Sequence, residues 1–79
     1  MIKLNNIVKS DFEIRCSAVV EDCQFPFELI YDIKNDILQK YELPKGYEWC
    51  SSHISHALRY LRSLKNEDNL PNQEVLMWY

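Results

Sequence analysis

The chain has 79 residues, 47% of them apolar, with ten aromatics, a single glycine and a net charge of -3. That length makes one domain spanning residues 1–79, with a thin core in which roughly 60% of the chain's surface is buried. The apolar content excludes disorder and low complexity. The mild acidity lacks the basic signature of a general nucleic-acid binder.

No apolar run nears the roughly 18 residues that a membrane span needs, so no membrane partner is expected. Asn5 and Asn6 interrupt any charged-then-apolar leader at once, which points to a cytoplasmic location. Cys16, Cys23 and Cys50 are an odd count with no Cys-x-x-Cys pair, the pattern of reduced thiols and not of a disulfide framework. The Asn-, Lys- and Ile-rich usage is common in AT-rich bacterial or phage genomes.

In chain order, Ile2, Leu4 and Val8 suggest a first strand that Asn5-Asn6 weakens or bulges. Phe12, Ile14, Cys16, Ala18 and Val20 alternate with polar residues, the period of a half-buried strand. After the polar turn Glu21–Gln24 the alternation resumes over Phe25, Phe27, Leu29, Tyr31 and Ile33, with Pro26 tolerable at a strand end or edge but not in a central ladder. Lys34-Asn35-Asp36 has turn chemistry, and Ile37–Tyr41 reads as the return strand of a hairpin. Val8–Phe12 and Ile33–Ile37 share one pattern, apolar, Lys, small polar, Asp, apolar, so both are expected to be tight turns of an antiparallel meander.

Pro44 and Gly46 then break the ladder, Gly46 with a positive φ. Ser51 or Ser52 is the expected N-cap of a helix whose apolar stripe is Ile54, Ala57, Leu58, Leu61 and Leu64, with Asn66 as its C-cap. Val75, Met77 and Tyr79 alternate with Leu76 and Trp78. A last strand apolar on both faces is expected to lie centrally or beneath the helix, with the terminal Trp-Tyr pair pinning it. The fold class is therefore α+β: a β-meander of about four strands, one amphipathic helix on the sheet, and a C-terminal strand, in the order β-β-β-β-α-β.

The chemistry gathers at the start of that helix. Cys50, His53 and His56 are spaced i, i+3, i+6 and drift round a helix, so they converge poorly on a metal and no cofactor is assigned. A thiol at a helix N-terminus with a histidine one turn on could serve as nucleophile and base, but so small a chain leaves little material for a cleft, and no catalytic residue is assigned. The plain alternative is a capping region with a packed cysteine and two surface histidines.

Ser51, Ser52, His53 and nearby Lys45 would suit an anion at the helix start. His56, Arg59, Arg62 and Lys65 form a basic helix face, suited to an acidic protein surface or, more weakly, to nucleic-acid backbone. Tyr41, Tyr47 and Trp49, which flank the Pro44–Gly46 turn, are either a lid on the core or anchors for a partner. The leading expectation is a non-enzymatic protein-interaction or regulatory module, of partner unknown, using Lys45, Tyr47, Trp49, Cys50, Ser51, Ser52, His53, His56, Arg59 and Arg62. Its alternative is a small anion- or nucleic-acid-binding domain at the helix start, and third comes a cysteine enzyme built on Cys50 and His53. An open meander also leaves unpaired edges, which admits a homodimer.

Overall fold

The computed structural model describes residues 1–77. Its elements are β1 (Ile2–Lys9), β2 (Glu13–Val20), β3 (Phe27–Asp32), β4 (Ile37–Lys40), a 3-10 turn over Glu48–Cys50, helix α1 (Ser51–Ser63) and β5 (Gln73–Leu76). The strands form one sheet in the order β4-β3-β2-β1-β5, and every neighbouring pair is antiparallel. The meander, the single helix on the sheet and the final strand are thus present in the expected order.

Alternation sets which face is buried. Cross-strand partners Ile2 and Val20, Leu4 and Ala18, Ile14 and Tyr31, Cys16 and Leu29 all turn to the helix side, where they are buried. Ile54, Ala57, Leu61 and Leu64 of α1 close the core from above, and His53 shares their face. The bulge at Asn5–Asn6 is a working part of this pattern. Strict alternation would send Asn6 inward after Ile2 and Leu4; instead the β1–β2 register shifts, Asn6 takes φ 55°, and Ile7 enters the core.

The other face is polar, as one helix and five strands require. Arg15 pairs with Glu13 at 2.7 Å, and Lys40 with Glu28 at 3.1 Å. The stems of Arg15 and Lys40 flank Ile30, their cross-strand neighbour, which is the buried apolar residue of that face.

Several local expectations are corrected. Phe12 and Phe25 lie outside the strands and are exposed, Phe12 in the bend between β1 and β2 and Phe25 in the loop between β2 and β3. Cys23, assigned to a polar turn, is buried. Neither Ser51 nor Ser52 caps the helix: the 3-10 turn leads in, Cys50 takes the N-cap position, and no side chain caps it. At the far end Leu64, not Asn66, is the C-cap, and Lys9 donates to the carbonyls of Lys65 at 2.6 Å and Glu67 at 2.9 Å. A lysine from β1 thereby satisfies acceptors where the helix dipole is negative.

β5 is an edge strand paired with β1 alone and is not central, because α1 carries the chain from the β4 side of the sheet to the free side of β1; only its inward residues, Glu74 and Leu76, meet the flank of α1. The expectation for Trp78 and Tyr79 lies outside the described residues. No described helix is long and apolar enough to cross a membrane.

Candidate functional site at the helix start

The segment from Pro44 to His53 is held by its own backbone. Gly46 adopts φ 90°, as its place in the turn required, and its N–H donates to the Glu48 carboxylate at 2.9 Å. The Tyr47 N–H donates to the Pro44 carbonyl at 2.9 Å, the Cys50 N–H to the Tyr47 carbonyl at 3.0 Å, and the Trp49 indole to the Gly46 carbonyl at 3.2 Å. Tyr47 and Trp49 stack with ring centroids 6.3 Å apart, and Trp49 meets the His53 ring edge-on at 5.9 Å.

His53 is only 5% exposed, so the expectation of two surface histidines fails for it. Its Nε2 lies 2.6 Å from Oε1 of Glu21, in the turn after β2. The same Glu21 oxygen accepts a hydrogen bond from the Met1 amino group at 2.7 Å. Those two donors, the ammonium first and His53 second, hold the Glu21 carboxyl below its usual range. Next to it, the Tyr47 hydroxyl donates to Asp22 at 2.9 Å, and this bond raises the phenol's pKa.

Cys50 is fully buried, and burial, with the charge of Glu21 second, pushes its thiol up. A thiolate is therefore disfavoured at the position where the cysteine-enzyme reading needs one. Alkylation by iodoacetamide at neutral pH should reach Cys50 only as fast as the protein opens, and labelling as fast as a free thiol in the folded protein would restore the enzyme reading. Cys16, in mid-strand, is likewise buried, and desolvation lifts its pKa to about 12.

The remaining expected residues do not converge with these. Ser51 and Ser52 are exposed at the helix start, and Lys45 is exposed in the preceding loop. His56 is half-buried, and Arg59 is exposed further along the helix. Arg62 is taken by Asp36 of the β3–β4 turn, its Nε 2.7 Å from Oδ1, and Asp36 also accepts from the Tyr31 hydroxyl. These two donors, Tyr31 first, depress the Asp36 pKa. The basic face is thereby reduced by one charge. Among the described residues no three His, Cys, Asp or Glu side chains gather as a metal-binding set.

The structure brings together Tyr47, Trp49, Cys50 and His53, and adds Glu21 and Asp22, which come from 32 and 25 residues away. Nothing in their local sequence marks these acids as partners. The burial of His53 was missed although a signal for it exists, since it stands four residues before Ala57 and eight before Leu61 on the buried stripe. The same end of the fold also carries a groove of about 550 Å³ between the β2–β3 loop and the segment after β4, walled by Phe25, Phe27, Leu43 and Pro44. Compared with family models, curated proteins and solved structures, the chain has no match in any of the three.

Proposed function

We propose that the chain is a non-enzymatic protein-interaction module that docks through the end of the fold at which α1 begins. The observation that carries this is the gathering of exposed aromatics there. The meander returns the end of β2, the start of β3, the end of β4 and the start of α1 to that one end. Phe25 is 74% exposed, Trp49 64% and Tyr41 50%, with Met1 and Met77 exposed nearby at the β1 and β5 termini. Single exposed apolar residues are ordinary, but three large exposed aromatics at one end of so small a fold, Phe25 on the groove and Tyr41 on a separate hollow between β4 and α1, match the composition of an interface centre.

The alternatives draw less support. His53 faces a carboxylate, which is the wrong sign of neighbour for an anion site. Arg62 is neutralised by Asp36, which leaves too few cations for more than weak contact with a phosphate backbone.

The test compares tagged wild-type protein with a Phe25→Ser, Tyr41→Ser double variant in quantitative pull-downs from an extract of the source cells. Both side chains are exposed, so the melting curves should coincide. A protein retained by the wild type and lost from the variant is the expected result. Capture of the same proteins by both would overturn the reading.

A further inference from the structure

We infer that the partner at this end is a second copy of the same chain, joined about a two-fold axis; this rests on the docking surface just proposed. The charges around the groove between the β2–β3 loop and the segment after β4 argue for it. Of the charged residues that line the groove, Lys40 is satisfied within the chain by Glu28. Glu42 and Lys45 are both exposed, and no ion pair engages either among the described residues.

They stand three residues apart, with the apolar pair Leu43-Pro44 between them. A surface that carries one unsatisfied charge of each sign on either side of a half-buried apolar pair is complementary to itself. Turned through a two-fold axis, Glu42 of one copy meets Lys45 of the other, and the reverse pair forms by symmetry. The exposed Phe25 of each copy then has the apolar wall of its mate's groove, Leu43 and Pro44, to pack against.

Area allows this. The chain exposes 5320 Å², and a standard interface takes about 800 Å² from each partner, about 15% of that surface. The sheet edges are poorer candidates. β4 and β5 are four residues each, and β4 pairs in a shifted register, both features that blunt strand-to-strand association.

Sedimentation equilibrium at protein concentrations from about 1 µM to about 1 mM tests the proposal. The wild type should show a reversible monomer–dimer transition. Phe25→Glu should weaken it at least about tenfold, and Glu42→Lys alone should do the same by placing like charges across the axis. Glu42→Lys combined with Lys45→Glu should restore dimerisation to within about threefold of the wild type, because the crosswise pairs re-form with reversed polarity. A wild type that stays monomeric throughout overturns the second copy as partner, as does a dimer indifferent to Phe25→Glu. If a monomer still loses a captured protein on the Phe25→Ser, Tyr41→Ser change, the docking end stands and only the identity of its occupant falls.

Discussion

Leu61→Ala is expected to lower stability by about 2–5 kcal/mol, a loss whose upper end leaves much of the protein unfolded at room temperature. Leu61 is fully buried where α1 lies on the sheet, and truncation leaves a cavity that a rigid five-stranded floor cannot close. A chain of this size has roughly 5 kcal/mol to lose. Leu58, half-buried on the flank of the same helix, is the internal control, since Leu58→Ala should cost about half as much or less. Alanine is the better helix former at both positions, so local propensity works against the loss and cannot explain it. Urea melts followed by far-UV circular dichroism should show the larger midpoint shift for Leu61→Ala with little change in slope. Equal shifts for the two variants would mean that α1 does not seat on the sheet through Leu61.

The same helix shows what periodicity reveals and what it hides. The spacing of Ile54, Ala57, Leu61 and Leu64 was enough to place one face of α1 against the sheet, and the alternation from Ile14 to Val20 was enough for β2. Asn5-Asn6 was legible as a disturbance of β1, because two consecutive asparagines favour a left-handed residue. Those signals are local, and so they survive in the sequence.

The start of α1 was misread for a local reason of another kind. Two serines make good caps, but the 3-10 turn over Glu48–Cys50 already supplies a helical lead-in, and Cys50 stands at the N-cap instead. β5 was misplaced because Val75 and Leu76 look doubly buried, whereas an edge strand exposes Val75 on the open face and leaves Leu76 only half-covered by the helix layer. The partners Glu21 for His53, Asp36 for Arg62 and Lys9 for the end of α1 join residues that only the topology brings together. No periodicity records such pairs. The candidate site was therefore half legible: its aromatics Tyr41, Tyr47 and Trp49 and its histidine could be read, while the acids that occupy His53 and Tyr47, and the exposed Phe25, could not.

Replacing His53 should reveal how much of the fold depends on that pairing. His53→Ala removes a buried ring that packs against Trp49 and bonds to Glu21, and a loss of about 2–4 kcal/mol is expected. pH separates the packing share from the electrostatic one, with Glu21→Gln as the companion variant. The Glu21 carboxyl is held below its usual range in the folded state, so its contribution is fully present above the unfolded value of about 4.3 and disappears as pH falls through the folded value. The stability gap between wild type and Glu21→Gln should accordingly be widest near neutrality, begin to narrow at the unfolded value of about 4.3, and close only below the depressed folded value, where the carboxyl is protonated in both states and resembles the amide. Asp32 and Asp36, whose carboxyls are also depressed by hydrogen bonds, titrate alike in both proteins and cancel from the comparison. The His53→Ala deficit should shrink over the same range yet keep a residue that no acidification removes, the cost of the vacated space beside Trp49. A gap between wild type and Glu21→Gln that stays constant from neutrality to pH 3, measured by urea melts, would show that the carboxylate does not stabilise the start of α1 and that His53 is retained there by packing alone.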